Sequence, residues 1–94
     1  MSDQVQASDA VYYATILTIR SAEVPITRQA ITSRVAGVLG RHYREAKPEV
    51  YAAVRELKAS GKVDNHRGGT RGSLHGLYMA DGSGQWSPPT SRIP

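Results

Sequence analysis

Residues 47–79 read KPEVYAAVRELKASGKVDNHRGGTRGSLHGLYM, and this stretch decides the predicted fold. Its first half has apolar residues at the spacing of one helix face: Val50, Ala53, Val54 and Leu57. Gly61 is placed to end that helix. Residues 62–66 and 74–79 then have the composition of two paired strands, joined by a loop at residues 67–73. The stretch therefore predicts a helix followed by a β-hairpin.

Two more helices are predicted upstream of this segment. Ser8 suits the N-cap of a first helix over residues 9–21, and Thr27 suits the N-cap of a second. Gly40 is placed to end the second helix in the left-handed conformation. We expect the third helix to begin at Pro48, because proline is tolerated at the first helical position.

Apolar spacing also predicts what these elements bury. In the second helix, one face is expected to hold Ile31, Val35, Val38 and Leu39. Ile26 and Ile31 form a hydrophobic staple pair around the Thr27 cap. The Val-Pro-Ile run at residues 24–26 reads as a short edge strand. These expectations describe one small core shared by three helices and a hairpin.

The first helix is apolar on two sides. Ala10, Tyr13, Ala14 and Leu17 share one face, and Tyr12, Ile16 and Ile19 lie nearly opposite. A small domain has few elements to cover both faces, so we expect one face to form a homodimer contact. The predicted dimer interface is Tyr12, Ile16 and Ile19.

Length and charge restrict the class of protein. Ninety-four residues fit a single small domain, here residues 8–79, between a flexible start at residues 1–7 and a Gly/Ser/Pro-rich, disordered tail at residues 80–94. The absence of cysteine excludes disulfides and thiolate metal sites. No apolar run is long enough to span a bilayer, which favours a cytoplasmic protein.

Twelve Lys+Arg against eight Asp+Glu give a net charge of +4, and basic residues cluster between Arg41 and Arg71. Such clustering favours a polyanionic partner.

The order of elements resembles the winged helix-turn-helix domains of bacterial transcription regulators. The resemblance is carried by residues 25–31 (PITRQAI), which lead into the second helix, and by residues 50–63, the third helix and first wing strand. It implies a mainly α fold with a small β-wing, ordered helix-strand-helix-helix-strand-strand. The predicted connection between the second and third helices is longer than the 3–4-residue turn typical of the motif. This length leaves open that the third helix begins before Pro48.

The resemblance implies binding of double-stranded DNA, with the third helix in the major groove and the wing on the minor groove or backbone. The predicted groove-facing stripe is Pro48, Ala52, Arg55 and Ala59, and Arg55 is long enough to reach guanine. Arginines at the loop tip suit a narrow minor groove. The full set of expected DNA contacts is Thr27, Arg28, Gln29, Arg41, His42, Arg44, Lys47, Glu49, Tyr51, Ala52, Arg55, Arg67 and Arg71. The protein would act as a small transcription regulator, such as a repressor, or as an accessory protein of a mobile element.

Other classes of function are weighed against DNA binding. A protein-interaction module could use the same fold, with Tyr12, Ile16 and Ile19 as its working surface, and RNA or non-B DNA could bind the same basic surface. No nucleophile motif or nucleotide-binding loop is present, so we expect no enzyme activity and no cofactor. The three histidines, His42, His66 and His75, lack a recognised ligand spacing, so we expect no metal. No small-molecule ligand is evident.

Overall fold

The computed structural model describes residues 6–67 and 75–88. It contains three helices, α1 (Asp9–Ser21), α2 (Arg28–Leu39) and α3 (Tyr43–Ala59), followed by strands β1 (Val63–His66) and β2 (Gly76–Met79). The strands form a two-stranded antiparallel sheet in which Val63 pairs with Met79 and His66 with Gly76. The protein is therefore mainly helical with a small sheet, an α+β fold. No helix in the described ranges combines the length and apolar character needed to cross a membrane.

The predicted ends of α1 and α2 are confirmed. The Ser8 side chain accepts a hydrogen bond from the Val11 N–H at 3.3 Å, and Thr27 accepts from the Ala30 N–H at 3.2 Å. Gly40 ends α2 with a φ of 67°. These caps satisfy backbone groups that a helix leaves free at its ends, so short-range chemistry sets these boundaries.

The predicted start of α3 at Pro48 is wrong, because the helix begins at Tyr43 with His42 as its N-cap. The N–H groups of Glu45 and Ala46 both donate to the His42 carbonyl at 3.0 Å. Ala46 is also fully buried and anchors this first turn in the core. Pro48 lies inside the helix, where its ring removes one helical N–H donor. Residues 43–46, which were expected to lie in the connection before the third helix, therefore form the first turn of α3.

The core lies where the three helices and the inner face of the sheet meet. It is built by Val11, Ile16, Ile19, Ile26, Ile31, Val35, Ala36, Ala46, Val50, Val54, Leu57, Val63, Leu77 and Met79. The expected core position of Val38 is wrong, since its side chain is 76% exposed. Helix α2 instead buries two adjacent pairs, Ile31 with Thr32 and Val35 with Ala36, which turns Val38 toward solvent.

The expected edge strand at residues 24–26 is reduced to a single bridge. The Ile26 N–H donates to the Leu77 carbonyl at 3.0 Å, and the Leu77 N–H donates back to Ile26 at 2.7 Å. Pro25 has no N–H to extend such pairing. The bridge nevertheless joins the α1–α2 connection to β2 and so fixes the sheet against the helices.

The expectation of a disordered tail is wrong for residues 80–88, which pack on the domain. The Gln85 N–H donates to the Arg20 carbonyl at 3.0 Å, and Arg20 Nε donates to the Ser83 hydroxyl at 3.4 Å. Trp86 is half-buried against the sheet, with its ring centroid 4.8 Å from that of His66. The predicted domain boundary at Met79 therefore moves toward the C-terminus.

One buried hydroxyl group gives a stability prediction. Thr15 is fully buried in α1, and its Oγ1 has no hydrogen-bond partner among the described residues. Thr15→Val keeps the shape of the side chain and removes an unsatisfied polar atom, so the free energy of unfolding should rise by about 1 kcal/mol. Urea denaturation measures the change.

Thr32→Val is the matched control, because Thr32 is equally buried but its hydroxyl donates to the Arg28 carbonyl at 2.8 Å. The control should be less favourable than Thr15→Val by about 1 kcal/mol, since it deletes a made hydrogen bond. Equal effects of the two substitutions would contradict the assignment of Thr15 as unsatisfied.

Candidate nucleic-acid interface

The exposed side of α3 carries a basic stripe. Residues three or four apart in a helix share a face, and this face holds Arg44, Lys47, Tyr51, Arg55 and Lys58. Four of the five are cations and Tyr51 is at the centre. The only ion pair among the described residues joins Arg41 to Glu49, so the cations of the stripe have no carboxylate partner there.

Two cations from different helices converge on Tyr51. The Arg28 guanidinium carbon lies 6.0 Å from the centre of the Tyr51 ring, and Lys47 Nζ lies 5.6 Å from it. Such cation–π contacts are worth about 0.5–1 kcal/mol each at exposed sites. The arrangement therefore produces a focus of positive potential where α2 and α3 meet.

A shallow depression of about 620 Å³ lies along this focus, lined by Arg28, Tyr51, Arg55, Lys58 and Ala59. A second open cleft of about 570 Å³ separates the start of α1 from α3. Arg55 lines both and stands on the ridge between them. Its side chain is exposed.

The predicted groove-facing stripe is corrected at Ala52. Ala52 is only 7% exposed, because α1 packs beside α3 and Tyr12 borders the same cleft. A buried methyl group cannot approach a base. The exposed face is consequently rotated away from α1, toward Tyr51 and Lys58.

Glu49 and Arg41 bind each other and do not extend the stripe. Arg41 Nη1 lies 2.9 Å from Glu49 Oε2, and the Ser8 N–H donates to Glu49 Oε1 at 2.9 Å. Glu49, which was expected among the DNA contacts, is thus held inside the protein through both of its carboxylate oxygens. The carboxylate instead ties the start of α1 to α3 and to the residue after Gly40.

The hydrogen bonds of Glu49 make the free energy of unfolding depend on pH. The Ser8 backbone hydrogen bond, and then the Arg41 guanidinium, lower the pKa of Glu49 below its ordinary value of 4.5 despite some desolvation. A lowered folded-state pKa means that the contribution is fully present above pH 4.5 and is lost as the pH falls through the folded pKa. Glu49→Gln should therefore lose up to about 1 kcal/mol of unfolding free energy at pH 7 and less at pH 3. Urea denaturation at the two pH values measures this difference.

Glu56→Gln is the control for Glu49→Gln, because it removes the same charge from an exposed position of α3. The Glu56 side chain makes no hydrogen bond among the described residues. If the free energy of unfolding changes with pH in the same way in both variants, Glu49 is not the group whose protonation destabilises the protein.

The structure distributes the remaining predicted contacts around the stripe. Gln29 is exposed in the first turn of α2, His42 and Arg44 are exposed at the start of α3, and the hydroxyl of half-buried Thr27 is used as a cap. Arg67 is exposed directly after β1, while Arg71 lies outside the described residues. The sequence interpretation did not include Lys58 in the stripe. Its spacing, three residues after Arg55 and seven after Tyr51, was the signal that could have identified it.

The predicted dimer interface is also corrected. Ile16 and Ile19 are buried in the core of the chain and Tyr12 is half-buried against it, so they cannot form the exposed face of α1. The exposed apolar residues of that helix are Tyr13 at 61% and Leu17 at 58%. Two side chains are far short of the roughly 800 Å² per partner that a stable dimer buries.

The described residues contain no group of three or more metal-ligating side chains. One face of α3 carries positive charge, one aromatic ring and long side chains that donate hydrogen bonds. These groups suit a polyanion that also offers hydrogen-bond acceptors. Comparison of the chain with protein-family models, with curated proteins and with solved structures finds no match.

Proposed function

We propose that this protein is a winged helix-turn-helix domain that binds double-stranded DNA with α3 in the major groove. The observation that carries the proposal is the basic stripe on α3, joined by Arg28 of α2 around Tyr51. The major groove of B-DNA is about 12 Å wide and admits a helix. The exposed face of α3, whose cations have no carboxylate partner among the described residues, therefore fits this groove in size and in charge.

The connection between α2 and α3 supports the same proposal. Because α2 ends at Leu39 and α3 begins at Tyr43, only Gly40, Arg41 and His42 lie between them. Three residues agree with the 3–4-residue turn of helix-turn-helix motifs. Gly40 provides the left-handed residue that reverses the chain, and Arg41 is held by Glu49. A long connection between the two helices was expected because the third helix was predicted to begin at Pro48, and the structure does not have this difference from the motif.

The residues divide into two roles in the proposed complex. Arg55, on the ridge of the surface, can donate two hydrogen bonds to O6 and N7 of guanine. Arg28, Lys47 and Lys58 surround Tyr51 and hold phosphates, which fix the position of the helix without reading sequence. Arg67, which is exposed directly after β1, contacts the DNA backbone beside α3 in this proposal.

Occupancy of a DNA site is the proposed mode of action, as a small transcription regulator or a mobile-element accessory protein. The test is a gel shift with fragmented genomic DNA at two salt concentrations, with RNA as competitor. Binding that weakens at higher salt and resists RNA competition supports the proposal. Salt-insensitive absence of binding opposes it.

A protein-interaction module is the rival function, and the exposed pair Tyr13 and Leu17 is the observation that favours it. The pair lies on α1 and the stripe on α3, and Tyr13 but not Leu17 lines the cleft that Arg55 also lines. Leu17→Ser should leave DNA affinity unchanged if the basic stripe is the working surface, and a gel shift with this variant separates the two.

A further inference from the structure

The chain after β2 turns back over the sheet and places a cluster of three rings on its outer face. Along the strands, Val63, Leu77 and Met79 face the core, whereas Asp64, His66 and Tyr78 face outward. Trp86 packs against this outer side, with centroid distances of 4.8 Å to His66 and 5.4 Å to Tyr78. His66 and Tyr78 are themselves 6.3 Å apart. All three contacts have the edge-to-face geometry that aromatic pairs favour.

The path of residues 80–88, called the strap below, binds it to the helices as well as to the sheet. The Ala80 N–H donates to the Lys62 carbonyl at 2.7 Å, which continues the pairing of the two strands. Asp81 and Ser83 form a turn, in which the Ser83 hydroxyl donates to Asp81 at 2.6 Å. Gln85 then reaches the end of α1 through the Arg20 carbonyl. The strap therefore connects α1 to the outer face of the sheet.

Gly84 shows how closely the strap approaches the sheet. A Cβ atom built on Gly84 would lie 3.0 Å from the Met79 Cβ, which is tighter than ordinary contact. Met79 is buried, so this approach closes the end of the core. The sheet is consequently held at two places, by the Ile26–Leu77 bridge on one side and by the strap on the other.

We infer that the strap is a clamp, closed by Trp86, which holds the sheet and Arg67 in the orientation used to contact DNA phosphates. Arg67 directly follows His66, which is one of the two sheet residues that the Trp86 ring touches. Fixing His66 therefore fixes the backbone from which Arg67 extends. The clamp itself follows from the contacts of the strap, and its role in phosphate contact depends on the proposed DNA binding.

The test compares Trp86→Ala, Trp86→Phe and the control Ser87→Ala, which changes an exposed neighbour outside the ring cluster. Amide hydrogen exchange at Gln85 reports the clamp without DNA. It should accelerate about tenfold in Trp86→Ala, since two aromatic contacts are lost, and less in Trp86→Phe. Exchange at Val54, in the middle of α3, should not change. His66→Ala should increase acrylamide quenching of Trp86, the single tryptophan of the chain.

The second readout is the salt dependence of DNA affinity. Trp86→Ala should reduce the slope of log K against log salt by about one unit, the loss of one phosphate contact, and Trp86→Phe should restore most of it. Unchanged exchange at Gln85 overturns the clamp. Faster exchange with an unchanged slope overturns its role in positioning the sheet. If the wild-type protein does not bind DNA, the proposed function and this role fall together, while the exchange data still decide whether the clamp exists.

Discussion

Among the described glycines, Gly76 is the position where substitution by alanine should destabilise the protein most. Gly76 opens β2 with a φ of 144°, a conformation that L side chains rarely adopt. A Cβ atom there would lie 2.6 Å from the Ile26 carbonyl carbon and 2.7 Å from the Ile26 nitrogen. Neither backbone atom can move without breaking the bridge between Ile26 and Leu77. We expect a loss of about 3–4 kcal/mol, which combines backbone strain with displacement of the bridge.

Thermal unfolding measures this loss, which should lower Tm by roughly 12–30 °C in a domain of this size. Gly37→Ala is the matched control. Gly37 lies within α2, with nothing within 4 Å of an added Cβ, and alanine should stabilise the helix by about 0.5–1 kcal/mol. A Gly76→Ala variant as stable as the wild-type protein would show that Ile26 and β2 are not packed as described.

Arg55→Ala should have the largest effect of any single truncation on sequence discrimination. Arg55 stands on the ridge between the two depressions beside α3, where a long donor can reach bases. Removing a bidentate contact to guanine should cost about 1–3 kcal/mol, or roughly 5- to 150-fold, on the preferred site. Affinity for random duplex should fall much less. Fluorescence anisotropy with a selected site and a random duplex of equal length measures both affinities.

Arg34→Ala is the control for charge. Arg34 is an exposed arginine of α2, but it lines a separate depression with residues 21–26. It should weaken neither affinity by more than about twofold, because none of the residues that line its depression belongs to the stripe on α3. Equal losses on specific and random DNA in Arg55→Ala would reduce Arg55 to a phosphate contact.

Local signals in the sequence predicted the fold well where the chemistry is local. Ser8, Thr27 and Gly40 each set a helix boundary through a hydrogen bond or a backbone conformation that nearby residues determine. Pro48 misled for the opposite reason. Its preference for a first turn was outweighed by the burial of Ala46, a tertiary contact that short-range patterns do not contain.

Part of the predicted set of DNA contacts lies on one surface of the structure, but that surface has a different orientation from the one predicted. Arg28, Lys47, Tyr51 and Arg55 were all expected at the interface, and the structure brings them to one surface. Ala52 was placed there too, because helical periodicity does not reveal how α1 packs against α3. The same limit reversed the two faces of α1, since either apolar face could have turned inward. The use of Glu49 by Ser8, 41 residues earlier in the chain, is a long-range contact with no local signature.

The most direct measurement is the affinity of the wild-type protein for duplex DNA across a series of salt concentrations. In the proposed complex, Arg28, Lys47 and Lys58, together with Arg67, are expected to make about four phosphate contacts. We therefore predict that log K falls with log salt with a slope of about −3 to −4. Replacing Lys47 and Lys58 by alanine should bring the slope to about −2. A protein that does not bind duplex DNA at low salt, or whose binding keeps the same slope without those two lysines, would contradict the claim that the stripe on α3 is a DNA-binding surface.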